Sequence, residues 1–141
     1  MKIKLLTIIV LTFFSFLSCK KDGENSSNIL TSKTWKKSLN DKNPSTNPAG
    51  TILYYAVKNC EQDDIFKFGL DGNLILNRST DKCDQTELQT ETQTYTINRT
   101  TKELIINGTK FTLAEESGSQ IKYYASIPAV TGFQYLIYLL Q

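Results

Sequence analysis

Downstream of residue 28 the apolar positions fall in short runs separated by clusters of Asn, Asp, Gly, Ser and Pro. Runs of that length bounded by turn formers predict strands rather than helices. Ile29-Leu30 opens this region, and the only tryptophan, Trp35, enters a first strand that ends near Leu39. Asn40 to Gly50 carries Pro44 and Pro48 and reads as a loop. Thr51 to Val57 is β-branched and aromatic, which predicts a second, well-buried strand. Ile65-Phe66-Lys67-Phe68 and Leu74-Ile75-Leu76 flank Gly69-Leu70-Asp71-Gly72-Asn73, and Asp-Gly between two apolar runs predicts a hairpin. Arg78 to Thr90 is polar and reads as a long loop.

From Glu91 the alternation becomes regular. Thr92, Thr94 and Thr96 interleave with Gln93, Tyr95 and Ile97, so threonines take one face and larger side chains the other. Leu104-Ile105-Ile106 and Lys110-Phe111-Thr112-Leu113 flank Asn107-Gly108, which readily adopts the positive φ values of a type I′ turn. Ile121 to Ile127 and Phe133 to Leu140 complete a set of about nine strands. The expected class is all-β, a small antiparallel up-and-down β-barrel of about eight to nine strands. Its last strand is apolar on both faces, so its outer face needs a cover. The segment around Ile29 and Leu30 is the expected cover, and a second copy of the chain is the rival.

The first 18 residues follow a different pattern. Met1-Lys2-Ile3-Lys4 is a short positive stretch, and Leu5 to Leu17 is a charge-free run too short to span a bilayer. Phe16-Leu17-Ser18-Cys19 resembles the lipobox cut by lipoprotein signal peptidase, with Phe16 where Leu is usual. The resemblance implies a signal peptide over 1–18 and lipid attachment at Cys19. Residues 19–28 are polar and read as a flexible tether, leaving 29–141 as one folded domain. Such a chain is expected on the outer membrane of a Gram-negative bacterium, facing the periplasm or the surface. Without Lys2 and Lys4, the remaining 14 basic residues balance 14 acidic ones and are scattered among them. Nucleic-acid binding, which needs a clustered basic surface, is set aside.

Chemistry narrows the field further. The chain contains no histidine. That removes Ser-His-Asp and Cys-His catalysis and His-bearing metal sites, so no enzyme, cofactor or metal centre is expected. With Cys19 committed to lipid, Cys60 and Cys83 are expected to pair in an oxidising compartment. Asp63, Asp64, Asp71, Asp81, Asp84 and Glu87 gather around that pair and the first hairpin. Their spacing matches no EF-hand, and turn formation or solvation accounts for them more simply than calcium binding or acid/base catalysis. Tyr54-Tyr55 and Tyr123-Tyr124 are adjacent pairs, and on strands each pair sends one ring to each face.

Leu30-Thr31-Ser32-Lys33-Thr34-Trp35, Cys60-Glu61-Gln62-Asp63-Asp64 before Phe66 and Phe68, Asp71-Gly72, and Lys82-Cys83-Asp84 together resemble the lipocalin-like lipoproteins of Gram-negative bacteria. The likeness spans about residues 29 to 141. It implies an eight-stranded barrel with Trp35 at its closed end and no particular activity. Lys33-Thr34-Trp35 lacks the glycine of the lipocalin Gly-x-Trp signature, and the chain stops in a strand without a C-terminal helix. In such a barrel Trp35, Phe66, Phe68, Tyr95, Phe111, Tyr123 and Tyr135 would line a site for a small hydrophobic molecule, or pack as an ordinary core. The alternative is a surface module that binds protein or glycan through loops and outward tyrosines.

Overall fold

The computed structural model describes residues 29–141; the signal stretch, the tether and Cys19 lie outside the described residues. The all-β expectation holds. Nine strands form one sheet: β1 (Thr34–Trp35), β2 (Ile52–Tyr54), β3 (Ile65–Phe68), β4 (Asn73–Asn77), β5 (Thr90–Asn98), β6 (Glu103–Ile106), β7 (Thr109–Glu116), β8 (Ile121–Ser126) and β9 (Tyr135–Leu140). Their spatial order is β1-β3-β4-β5-β6-β7-β8-β9-β2, and the sheet curls into a half-barrel.

Both expected hairpins form. Gly72 takes φ of 80°, and the Asp71 carboxylate accepts the Asn73 amide at 3.1 Å, which fixes the β3–β4 turn. Asn107 and Gly108 take φ of 47° and 78°, as a type I′ turn requires. The Cys60–Cys83 disulfide is present and ties the long loop after β4 to the chain just before β3.

Two segments differ from the sequence reading. The first strand pairs with β3 only at Thr34 and Trp35, antiparallel to Lys67 and Phe66. Beyond them the chain turns its other edge to β9. Lys36 and Gln141 exchange backbone hydrogen bonds at 2.9 and 2.8 Å, and the Ser38 amide donates to the Leu139 carbonyl at 3.0 Å. One short segment therefore joins two distant strands of the sheet. The second strand is shorter than Thr51 to Val57, and it is not well buried. It is a three-residue edge strand, Leu53 on it is 41% exposed, and it runs parallel to β9, the only parallel pairing in the sheet. Gly50 at its entrance has φ of 130°, and a Cβ there would overlap the Gln134 side chain.

The main core lies at the end of the half-barrel that carries the β3–β4, β5–β6 and β7–β8 turns. Trp35 and Leu30 are fully buried there with Leu104, Ile121 and Leu140, and Leu113 packs with them. The Trp35 indole donates to the Leu30 carbonyl at 2.8 Å, and the Lys33 ammonium lies 4.2 Å from the centre of the indole ring. Glu116 accepts the Arg99 guanidinium through both carboxylate oxygens at 2.7 Å, and the Leu30 amide at 3.2 Å. A bulge in β7 makes this possible. The register slips between Leu113 and Glu115, so Glu115 pairs with outward Lys122 while Glu116 pairs with inward Ile121.

Leu30 thus closes the floor, and it is not the cover of β9. The outer face of β9 presents Tyr135, Ile137 and Leu139, and its register partners on β8 are Ser126, Tyr124 and Lys122. Ile137 and Leu139 are buried. Their cover is the loop from residue 40 to 48, anchored on Lys122. This lysine is fully buried, and its ammonium donates to the Asp41 carboxylate at 2.9 Å, the Asn43 carbonyl at 2.6 Å and the Asn47 side-chain oxygen at 2.8 Å. Tyr54 on β2 donates to the same Asp41 carboxylate at 2.7 Å, and Gln120 donates to it at 3.1 Å. The expectation of an intramolecular cover holds, with a different segment supplying it.

This cage makes stability sensitive to acid. Burial pushes the Asp41 carboxyl up, but hydrogen bonds from Lys122, Tyr54, the Asn43 amide and Gln120 outweigh it and hold the group at about 2, against an ordinary 3.8. Because the folded value is depressed, the contribution is full above 3.8 and is lost as pH falls toward about 2. Urea denaturation at stepped pH is expected to show a loss of about 2 kcal/mol across that window, absent from Asp41→Asn. An equal acid slope in that variant would contradict the assignment.

Candidate ligand cavity

The half-barrel is not filled. Above the Trp35 floor, toward the Asn107-Gly108 turn, lies a cavity of about 310 Å³. Strand alternation places its walls: Phe66 and Phe68 from β3, Leu74 and Leu76 from β4, Ile106 from β6, Phe111 from β7, Tyr123 from β8 and Tyr138 from β9. The polar margin is Lys37, Gln93, Asn107 and Thr109, and Asn107 and Thr109 are exposed, so the cavity opens to solvent at the β6–β7 turn. Eight or nine strands enclose an interior that side chains can fill or that can hold one small molecule; here part of it stays open.

An aromatic wall dominates one side. Tyr55, immediately after β2, donates its amide to the Ile137 carbonyl at 2.8 Å and so extends the pairing with β9. Its ring stacks on Tyr138 at 5.0 Å, and Tyr138 stacks on Tyr123 at 5.2 Å with planes 8° apart. Phe111 meets Tyr123 and Tyr138 edge-on at 5.1 and 5.6 Å. Such contacts contribute about 0.5–1.5 kcal/mol each beyond burial and fix ring positions. Behind the wall the Tyr55 hydroxyl donates to Glu61 at 2.9 Å, and Glu61 pairs with Lys37 at 3.0 Å. The Lys37 ammonium lies 4.9 Å from the centre of the Tyr55 ring and 5.8 Å from that of Phe66. Burial first, then the hydrogen bond and charge of Glu61, push the Tyr55 phenol up to about 12. Burial also raises Tyr123 and Tyr138, so both phenols stay protonated through neutral pH.

Of the seven aromatic residues expected around a ligand, Phe66, Phe68, Phe111 and Tyr123 line the cavity. Trp35 and Tyr95 belong to the core cluster beneath it. Tyr95 packs edge-on against Phe68 at 4.9 Å and donates to the Gly69 carbonyl. Tyr135 is not a lining residue. It sits on the outer face of β9 and packs edge-on against Tyr124 at 5.1 Å, because an odd offset of three positions along the strand puts it opposite inward Tyr138. Sequence reasoning missed Tyr55 and Tyr138, which complete the aromatic wall. A strand apolar on both faces gives no parity signal, and nothing local announces that Tyr55 follows a strand parallel to β9.

The acids take separate places. Asp71 and Asp84 cap turns, accepting the Asn73 and Thr86 amides. Asp63 and Asp64 each bury one carboxylate oxygen without a hydrogen-bond partner. Asp64 is 4% exposed, and burial raises its carboxyl, with Lys37 and Arg78 opposing and Glu61 and Asp63 adding to the rise. Among the described residues no three acids or cysteines converge as a metal site. No family model matches the chain, and comparisons with curated proteins and with solved structures find no match either.

Proposed function

We propose that the domain is a lipid-anchored binder of a small hydrophobic molecule, held in the cavity between the aromatic wall and β3–β4. The observation that carries this reading is an interior of about 310 Å³ with mostly apolar walls and a few polar groups at its rim. Small-molecule sites start at about this size and have this composition, whereas a fold that used these side chains only as core would close over them. The anchor is Cys19, and the location that follows from it is the outer membrane of a Gram-negative bacterium. The likeness to lipocalin-like lipoproteins supports the same reading. The rival, recognition of protein or glycan by outward tyrosines, is weaker because Tyr124 and Tyr135 pack on each other and Tyr54 is bonded to Asp41.

Two experiments test the two halves of the proposal. The protein from Lys20 onward should enhance the fluorescence of N-phenylnaphthylamine, a neutral apolar dye. Leu76→Trp, which fills the cavity from β4, should weaken dye binding at least about tenfold while the thermal unfolding transition is retained. Equal binding by the filled variant would place the dye elsewhere and overturn the cavity reading. For the anchor, the full chain should incorporate labelled palmitate and fractionate with membranes, and Cys19→Ala should lose both. Membrane retention without label in that variant would contradict lipid attachment.

A further inference from the structure

Three of the seven tyrosine hydroxyls in this domain are bonded within the protein. Tyr54 donates to Asp41, Tyr55 to Glu61 and Tyr95 to the Gly69 carbonyl. The hydroxyls of Tyr123, Tyr124, Tyr135 and Tyr138 have no hydrogen-bond partner among the described residues, and of these Tyr123 and Tyr138 line the cavity. Tyr123 is only 7% exposed. Neither hydroxyl is among the sealed, unpartnered polar atoms, so each stays open to water or to a ligand in the cavity, and two adjacent phenols there supply the polar contact a ligand would take from water. The rings that carry them are held by stacking with each other and by Phe111 on their edges, so the hydroxyls are positioned before any ligand arrives.

We infer that the ligand's polar part is a neutral hydrogen-bond acceptor, a carbonyl group, that takes the Tyr123 and Tyr138 hydroxyls as donors. This rests on the reading of the cavity as a small-molecule site. Three observations set the class. A phenol that stays protonated offers its proton first, and no carboxylate lines the cavity to accept from a donating ligand. Asn107 at the margin offers an amide donor as well, while the Gln93 amide already donates to Glu91. The single charged lining residue, Lys37, is already paired with Glu61, and its charge also acts on the buried Asp64, while Arg78 is paired with Glu91. A ligand carboxylate would therefore meet one ammonium already neutralised by Glu61, and would give up its hydration for little return.

The test uses probes that share one ring system and differ in polar group: acetonaphthone, ethylnaphthalene and naphthoate, titrated by calorimetry into the protein from Lys20 onward. Acetonaphthone is expected to bind more tightly than naphthoate. Tyr123→Phe and Tyr138→Phe should each weaken acetonaphthone about five- to tenfold and leave ethylnaphthalene within about twofold. The carbonyl stretch of bound acetonaphthone should shift to lower frequency in the wild type and shift back in the double variant. Should Tyr123→Phe fail to fold, Tyr138→Phe and the infrared shift decide alone. Unchanged ketone affinity with an unshifted carbonyl, or tighter binding of naphthoate, would overturn the inference while leaving the cavity reading intact. If neither neutral probe binds the wild type, the cavity reading itself fails.

Discussion

A lysine ammonium sealed completely between a sheet and a loop is tolerated only if every proton finds an acceptor. Lys122 meets that condition with one carboxylate, one backbone carbonyl and one amide oxygen, all from the loop between residues 41 and 47. The arrangement fixes the loop onto the outer face of β8 and β9, and the loop hands the chain to β2. A three-residue strand parallel to its neighbour has little pairing energy of its own. Its position depends on the loop before it, on the Tyr54 hydroxyl bonded to Asp41, and on Gly50 lying against Gln134. One residue later Tyr55 enters the cavity and starts the stack that continues through Tyr138 to Tyr123. A polar cage on the outside of the half-barrel thus determines the aromatic wall on the inside.

The same division of labour runs along the axis of the fold. At one end Trp35, Leu30 and the Arg99–Glu116 pair close the floor with dense apolar packing and satisfied polar groups. At the other end the short β6 and the Asn107-Gly108 turn stop part-way up the wall, and the interior between β3–β4 and the tyrosine stack is left open. The β7 bulge serves both ends. One extra residue sends Glu115 to accept from Thr46 and Gln120 outside, and Glu116 to hold Arg99 and the Leu30 amide inside. The floor proper, Trp35, Leu30 and the Arg99–Glu116 pair, stands apart from the cavity wall, whereas Phe66, Phe68, Leu74, Leu76 and Tyr123 belong both to the buried core cluster and to the wall.

What could be read from the sequence was local. Asp71-Gly72 and Asn107-Gly108 declare their hairpins because their φ values are demanded by residue type, and the expected Cys60–Cys83 bond is present. The inward positions of Phe66, Phe68, Phe111 and Tyr123 follow from clean alternation. The remainder was non-local. Lys122 in Ile121-Lys122-Tyr123 has the alternation of a solvated outer face, and only the arrival of a loop some eighty residues earlier in the chain buries it. The parity of β9 was unreadable because both its faces are apolar, so Tyr135 was expected inward and Tyr138 was overlooked. β2 looked well buried by composition, yet it is an edge strand, because strand propensity measures fit to a pleated surface and does not report the number of neighbours.

The dependence of the inner wall on the outer cage is the central claim, and backbone amide exchange in Lys122→Met tests it most directly. Removing the ammonium should release the loop from residue 41 to 47. The Tyr55 amide, bonded to Ile137, and the Gln134 amide, bonded to Thr51, should lose protection by at least about tenfold, while amides in the β3–β4 hairpin retain theirs. Unchanged protection at Tyr55 would contradict the account, because β2 and the tyrosine stack would then be held in place without the Lys122 cage.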